Sequence, residues 1–171
     1  VYHPAKATRQ AWLSNETFDF VAGSHDGYER LTAPVTHHRQ LLFVKNGYWV
    51  VIDDLVGSGK HTFDLYFHLI PGLQVELHPT SRTVQATNEQ GASLQIVPVG
   101  DSLSSVALFE GTTNPIQGWV GLYSGEKCPA AALRYRRITP VPARFCTILY
   151  PQAASRPQRI HAERLPVTTT P

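Results

Sequence analysis

Short apolar segments, repeated along the whole chain at nearly even intervals, limit the folds that this sequence can adopt. They alternate with polar residues or run continuously, and Gly, Pro, Asn and Ser separate them; the 171 residues include 12 Gly and 13 Pro. A spacing of roughly ten residues is typical of β-sandwiches and barrels. No segment has the periodicity of an amphipathic helix. The sequence therefore predicts an all-β fold of about a dozen short strands, a sandwich or barrel rather than a parallel βαβ sheet.

The predicted strands cover most of the chain. They are Gln10–Ser14, Thr17–Ala22, Val35–Lys45, Tyr48–Leu55, His61–Leu69, Leu73–Leu77, Arg82–Thr87, Ser93–Val97, Ser104–Glu110, Gly118–Tyr123, Ala131–Ile138 and Ala143–Tyr150. One more strand is expected around Arg159–Arg164, within a Pro/Thr-rich and partly irregular tail at residues 152–171. A chain of this length is expected to form one domain, residues 1–171.

Composition argues against two classes of partner. The formal net charge is +2, only 16% of the residues are charged, and the basic residues form no run, so no nucleic-acid partner is expected. No apolar stretch approaches the ~20 residues that span a bilayer.

The chain begins at Val1 and contains no Met, so we expect it to be a piece of a longer protein. Cys128 and Cys146 could form one disulfide, which the sequence does not decide.

Residue alternation predicts how two central strands and the turn before them are placed. In His61–Leu69 the odd-numbered positions 63, 65, 67 and 69 are apolar and should face the core, while the even-numbered positions form a polar face that includes one aromatic. Tyr48–Ile52 is apolar throughout, so we expect it to be buried on both sides in the middle of a sheet. Asn46 and Gly47 favour positive φ at both positions and predict a tight hairpin before that strand.

Histidines and aspartates concentrate between residues 25 and 69. Five of the eight histidines lie there, at His25, His37, His38, His61 and His68, beside the pair Asp53 and Asp54. Adjacent residues of a strand point to opposite faces, so neither the His pair nor the Asp pair can hold one ion together. One member of each pair with His25 or His68 could form a zinc site, although no dense metal-binding motif supports it. The alternative is a set of histidines hydrogen-bonded on a sheet face.

Several residue types in this region suit an acidic sugar. Tyr28, Arg30, His37 and Arg39 can hold a uronate and move a proton beside its carboxylate, as can Tyr66 and His68. Among the tryptophans, Trp119 is the best candidate for an exposed ring that stacks on a sugar, whereas Trp49 lies inside the continuous apolar strand. Alternation also places Arg134 and Arg136 on one strand face, which we interpret as a solvated face.

Several motifs occur in a fixed order from about Trp12 to Pro151. They are a His-x-Gly-Tyr turn at His25, a Val-x-His-x-Arg strand at Val35, a Tyr-Trp-Val-Val-Ile-Asp-Asp strand at Tyr48, a Gly-x-Gly-x-His hairpin at Gly57 that leads into Phe-His-Leu, and the closing segment GWVGLYSGEKCPAAALRYRRITPVPARFCTILYP. This ordered set resembles the C-terminal β-domain of the heparinase II/III-like polysaccharide lyases.

The resemblance implies an antiparallel β-supersandwich, with its strands in two large sheets, that follows a helical toroid in a parent enzyme. It implies that the parent cleaves uronic-acid-containing polysaccharides by β-elimination, with Tyr and His abstracting the C5 proton and protonating the leaving glycosidic oxygen. In the family most of these groups belong to the toroid or to an Ala-His-Asn motif, and neither occurs in this sequence. We therefore expect no catalytic residue here, and the chain alone should lack catalytic power.

The resemblance also implies the partners of this chain. These are an acidic polysaccharide, in contact with Tyr28, Arg30, His37, Arg39 and Trp119, and the helical toroid of the same parent. A cofactor is not required, but some members bind a structural zinc through His and Asp, and His25 matches such a ligand. A bacterial periplasmic or secreted location is expected. Two other hypotheses remain open: a non-catalytic carbohydrate-binding module, and a structural domain without a ligand.

Overall fold

The structure, a computed structural model, describes residues 4–100, 103–155, 158, 160 and 162–163. Within these residues every regular element is a strand, and none forms a helix that could cross a lipid bilayer. The strands are β1 (Ala7–Ser14), β2 (Phe18–Tyr28), β3 (Val35–Val44), β4 (Trp49–Gly57), β5 (Lys60–His68), β6 (Gln74–Leu77), β7 (Val84–Thr87), β8 (Ser93–Pro98), β9 (Ser105–Phe109), β10 (Thr112–Thr113), β11 (Ile116–Gln117), β12 (Trp119–Tyr123), β13 (Glu126–Pro129), β14 (Ala132–Pro140) and β15 (Ala143–Gln152).

The strands form one large and one small antiparallel sheet. The large sheet has eight strands in the order β1-β2-β3-β4-β15-β8-β7-β6, and the small one has three in the order β5-β14-β9. Two further hairpins, β10–β11 and β12–β13, stand apart from both sheets. The chain passes from β4 to β5 and later from β14 to β15, so each sheet contains strands from distant parts of the sequence. The predicted antiparallel β-sandwich is confirmed, with sheets of unequal size.

The core lies between the two sheets. Leu133 and Tyr135 of β14 are fully buried and pack in one cluster with Val84 and Ile96 of the large sheet. Burial of such side chains supplies roughly 1.5–3 kcal/mol each before the entropy of ordering them is counted. From β5, Leu65 is buried in the same cluster, and the side chains at 63, 67 and 69 pack against it. The predicted inward face of this strand is therefore confirmed.

A buried hydroxyl adds a polar connection across the core. The Tyr135 hydroxyl donates to backbone carbonyls of the large-sheet side, with distances of 2.9 Å to the Arg82 oxygen and 3.1 Å to the Ile96 oxygen. Burial raises the pKa of Tyr135 far above its ordinary value, because the phenolate would lose its hydration. The side chain therefore remains a neutral donor that fixes the position of β14 against β8.

The turn between β3 and β4 differs from the expected hairpin. The Gly47 amide donates to the Val44 oxygen at 3.0 Å, and the Val44 amide donates to the Tyr48 oxygen at 2.9 Å. Asn46 has a φ of 60°, whereas Gly47 is not in the left-handed region. The prediction of positive φ at both positions was therefore wrong, because the loop contains three residues rather than two.

Strand β4 lies in the middle of the large sheet, as predicted, between β3 and β15. However, of its first four residues only Val51 is buried, and the next residues buried on the same face are Asp53 and Leu55. Trp49 stacks on Phe43 with ring centroids 4.4 Å apart and is half-buried. Within the described residues, then, β4 is covered on one face rather than on both.

Three short strands, β10, β11 and β13, were not predicted because they have too few residues to show an alternation. The strand predicted around Arg159–Arg164 falls largely on residues outside the described part of the chain. Cys128 of β13 and Cys146 of β15 are not joined to each other by a disulfide in the structure.

Candidate functional site

A cavity of about 540 Å³ opens between the large sheet and β5, the edge strand of the small sheet. Polar residues of β2, β3 and β4 line one wall, and β5 supplies the other. Antiparallel pairing places His25 of β2 opposite His37 of β3, and Arg39 of β3 opposite Asp53 of β4. Since residues two apart share a face of a strand, these four side chains project into the same space.

Three of these side chains form a continuous hydrogen-bonded chain. The Nε2 atom of His25 lies 2.9 Å from Nδ1 of His37, and Nε2 of His37 lies 2.6 Å from Oδ1 of Asp53. At the other end, the Gly27 amide donates to Nδ1 of His25 at 3.2 Å. The arrangement selects one residue from each adjacent pair, because His38 and Asp54 point to the opposite face, toward Gln10 and Arg144.

The two ends of this chain define the proton positions within it. A backbone amide can only donate, so Nδ1 of His25 carries no proton and a neutral His25 is protonated at Nε2. That proton is donated to Nδ1 of His37, which leaves Nε2 of His37 to donate to the carboxylate of Asp53. A carboxylate in this position fixes the tautomer and the ring orientation of a histidine.

Asp53 is the most buried charged group of the cluster, with 3% of its side chain exposed. Burial alone would raise its pKa, but the hydrogen bonds and charges of His37 and Arg39 outweigh burial and lower the pKa below the ordinary value. The Nε atom of Arg39 donates to Oδ1 at 2.6 Å, whereas the buried Oδ2 has no partner in the described residues. Asp53 is therefore a carboxylate at neutral pH with one unused acceptor atom.

The side chain of Arg39 extends from the buried carboxylate of Asp53 to the solvent. Its side chain is 45% exposed, and among the described residues its only hydrogen bond is the one from Nε to Asp53. The two terminal nitrogens are thus free to bind a ligand. Guanidinium groups bind carboxylates and sulfates through two parallel hydrogen bonds, so Arg39 is suited to an acidic sugar.

The cluster does not by itself match a zinc centre. His37 bridges its two neighbours through opposite ring nitrogens, so the three donor groups lie in a row and do not converge on a point. Both ring nitrogens of His25 are engaged as well. Across the part of the chain that the structure describes, no group of three His, Cys, Asp or Glu residues could hold a metal ion. A zinc ligand at His25 stays a prediction, and it would require donors from elsewhere in the protein.

The remaining predicted residues lie at different distances from the cluster. Tyr28 lines the cavity, 43% exposed, with its ring centroid 5.3 Å from that of His25. Arg30 donates to the carbonyl oxygen of Gly27 and so stabilises the turn beneath Tyr28. His68 and Tyr66 stack on each other on the small sheet, with centroids 5.8 Å apart.

Trp119 lies on the β12–β13 hairpin and is absent from the lining of the cavity. Its indole nitrogen donates to the Thr112 oxygen at 2.8 Å, and Nζ of Lys127 lies 4.3 Å from the ring centroid. One face of the ring is therefore already in contact with a cation. A sugar contact at Trp119 stays a prediction that concerns a separate part of the surface.

Three comparisons relate this chain to known proteins, and two of them find matches. The family model described as "Heparinase II/III-like, C-terminal" matches residues 3–158. A search of curated protein sequences gives no match. Solved structures with the same fold include the heparan sulfate lyase HepC from Pedobacter heparinus, with 19% identity and a TM-score of 0.76 over 89% of this chain and 22% of that one. They also include a heparinase III gene product, with 16% identity and a TM-score of 0.71 over 88% of this chain and 22% of that one. The chain thus spans about a fifth of the length of these proteins.

Proposed function

This chain belongs to the heparinase II/III-like C-terminal family, and from that premise we propose that its parent protein is a polysaccharide lyase. The parent would cleave a uronic-acid-containing polysaccharide by β-elimination, and this chain would be its C-terminal β-domain. The single observation that carries the proposal is the family match over residues 3–158. A helical toroid in the same parent, an acidic polysaccharide as substrate and a periplasmic or secreted location belong to the same proposal.

The cavity cluster would contribute binding rather than bond cleavage. Arg39 is half-exposed beside the buried Asp53, so its free nitrogens can hold the carboxylate or sulfate group of the polymer. Tyr28 would contact the sugar ring at the rim, and Arg30 would hold the turn that carries Tyr28. His37, fixed by Asp53, would complete the wall of the cleft. The groups that move the C5 proton would come from the remainder of the parent.

The test is an assay of the full-length parent on heparan sulfate, other glycosaminoglycans and alginate. β-Elimination leaves a double bond in the product, so the expected result is a rise in ultraviolet absorbance on at least one uronate polymer. Absence of that signal on every polymer would overturn the lyase proposal. Metal analysis of the same preparation tests the prediction that His25 is a zinc ligand. Absence of bound metal would overturn that prediction.

A pair of variants tests the binding role of this chain. Arg39→Gln should raise KM about tenfold, the equivalent of one lost charge-assisted contact, and leave kcat within about twofold. Arg144→Gln is the matched control, because Arg144 also pairs with an aspartate, Asp54, but on the opposite face of the large sheet. Equal KM values for the two variants would show that Arg39 does not touch the substrate.

The second candidate function, a non-catalytic carbohydrate-binding module, has support from the Trp119 hairpin. An acidic sugar could stack on the indole ring while Lys127 holds its carboxylate. Trp119→Ala should then weaken retardation of the protein in gels that contain an acidic polysaccharide. Tyr123→Ala, at an exposed residue of the same hairpin, is the control. Equal retardation of the two variants would rule out the role of Trp119.

A further inference from the structure

The outer face of the three-stranded sheet carries a defined set of side chains. Because paired residues share a face of an antiparallel sheet, the register of β14 with its two neighbours maps this surface row by row. The rows are His68–Ala132–Phe109, Tyr66–Arg134–Ala107 and Asp64–Arg136–Ser105. Arg134 therefore occupies the centre of the face, and the inward neighbours Leu133 and Tyr135 belong to the core.

The two arginines of this face are in different electrostatic states. Arg136 forms two hydrogen bonds of 2.7 Å to the carboxylate of Asp64, so its charge is neutralised and its position is fixed. Arg134 has no salt bridge among the described residues, and its buried Nε atom has no hydrogen-bond partner. Its guanidinium carbon lies 5.1 Å from the centroid of the Phe109 ring. Arg134 is thus a cation without a salt bridge, packed against an aromatic ring, and its charge helps to lower the pKa of the neighbouring Asp64.

The residues around Arg134 have the chemistry of a sugar site. On one side, Tyr66 and His68 present two nearly parallel rings, at an interplanar angle of 15°. On the other side lie the small residues Ala107 and Ser105 of β9. Aromatic rings stack on the apolar faces of pyranoses, and a guanidinium binds the acidic substituent.

This face is continuous with the cavity of the large sheet. Because β5 is the edge strand of the small sheet, its residues lie at the rim that joins the two surfaces. Asp64 and Tyr66 belong to the outer face and also line the cavity. A polymer that leaves the cavity can therefore pass over β5 and reach Arg134 without a break.

We propose that the outer face of the three-stranded sheet around Arg134 (the Arg134 face) is a second binding site for an acidic polysaccharide. It would hold the part of the polysaccharide that extends beyond the cavity. The carboxylate or sulfate group of one sugar unit would bind Arg134, and the ring of the same or the next unit would contact Tyr66 and His68. The class of ligand rests on the proposed lyase function, whereas the site rests on residues that the proposed function does not use.

The experiment compares Arg134→Gln with Arg137→Gln in the full-length parent. Arg137 is a matched control, because it lies three residues further along the same strand, on the other face, and its loss changes the net charge equally. The first readout is retardation in native gels that contain heparan sulfate, with dextran as the neutral polymer. The second readout is kcat/KM on long heparan sulfate and on a tetrasaccharide, chosen to fill the cavity alone.

Arg134→Gln should weaken retardation by heparan sulfate about tenfold in apparent Kd, the effect of one lost charge-assisted contact. It should also lower kcat/KM severalfold on the long polymer and leave the tetrasaccharide value unchanged. Arg134→Lys should give an apparent Kd between those of the unsubstituted protein and Arg134→Gln, because lysine keeps the charge but lacks the planar guanidinium. Thermal unfolding of each variant checks the fold.

The site is overturned if Arg134→Gln and Arg137→Gln are retarded equally, or if the loss on the tetrasaccharide equals that on the long polymer. The gel readout is independent of turnover. A parent with no lyase signal but with retardation that depends on Arg134 would therefore overturn the proposed activity and keep this site.

Discussion

The Nε2 atom of His37 lies 2.6 Å from Oδ1 of Asp53, at a point where only 3% of the aspartate side chain is exposed. The contact connects β3 to β4 on the face of the large sheet that lines the cavity. Arg39 donates to the same oxygen, so one buried carboxylate accepts two hydrogen bonds from the preceding strand. Stability and the arrangement of the site thus depend on the same atom.

Replacement of this carboxylate should be costly for folding. Asp53→Asn keeps the shape but removes the charge that His37 and Arg39 require, and it should lower the free energy of unfolding by about 2–4 kcal/mol. Denaturation of the 171-residue chain in guanidinium chloride measures the change. Asp54→Asn is the control, since Asp54 pairs with the half-exposed Arg144 on the other face and should cost less than about 1 kcal/mol. Equal losses would contradict the central position of Asp53.

Protonation of His25 should destabilise the fold below neutral pH. Burial first, and then the neighbouring His37 and Arg39, lower the pKa of His25 below 6.5 and outweigh Asp26, which would raise it. The unfolded chain then binds a proton more readily than the folded one, so the contribution of His25 is complete above pH 6.5 and is lost as the pH falls toward the folded pKa. Protonation at Nδ1 would also break the hydrogen bond from Gly27. The free energy of unfolding should fall as the pH drops below about 6.5, less steeply in His25→Asn; an unchanged slope in the variant would contradict this assignment.

Alternation in the sequence was sufficient to predict most of the sandwich. The inward face of β5 follows from apolar residues at every second position, and the structure places Leu65 of that face in the core. Burial of β4 was predicted less well. Its run of apolar residues suggested cover on both faces, but Trp49 is only half-buried and stacks on Phe43 instead. The sequence shows that a residue is apolar, but it does not show which neighbouring surface covers that residue.

The site depended on a strand register that the sequence could not supply. A two-residue turn at Asn46 and Gly47 would pair Lys45 with Tyr48 and bring Arg39 opposite Asp54. The observed three-residue loop shifts the pairing by one and brings Arg39 opposite Asp53. A shift of one residue moves every side chain to the other face of the strand. For this reason the residue types of the cluster could be named from the sequence, but the aspartate that organises them could not.

The hydroxyl of Tyr135 should contribute measurably to the contact between the two sheets. Tyr135→Phe removes the donor to two carbonyl oxygens, those of Arg82 and Ile96, and should lower the free energy of unfolding by about 1–2 kcal/mol. Tyr150→Phe is the control, because within the described residues the Tyr150 hydroxyl makes only a 3.5 Å contact, at an exposed site, and its loss should change stability little. Urea denaturation of both variants decides the comparison. A cost for Tyr150→Phe as large as that for Tyr135→Phe would contradict the proposed role of the buried hydroxyl.

Gly118, at the start of the β12–β13 hairpin, should tolerate no side chain. Its φ is +73°, and a Cβ atom there would lie 2.5 Å from the carbonyl oxygen of Phe109, so the backbone of β9 would have to move. Gly125 at the tip of the same hairpin has a φ of +83° but nothing within 4 Å of such an atom. Both Gly→Ala variants therefore carry similar backbone strain, about 1 kcal/mol, and only the one at 118 adds a steric clash. We expect Gly118→Ala to lose more than about 3 kcal/mol in urea denaturation. If Gly125→Ala lost as much, strain alone would account for both, and the close approach of the hairpin to β9 would not contribute to stability.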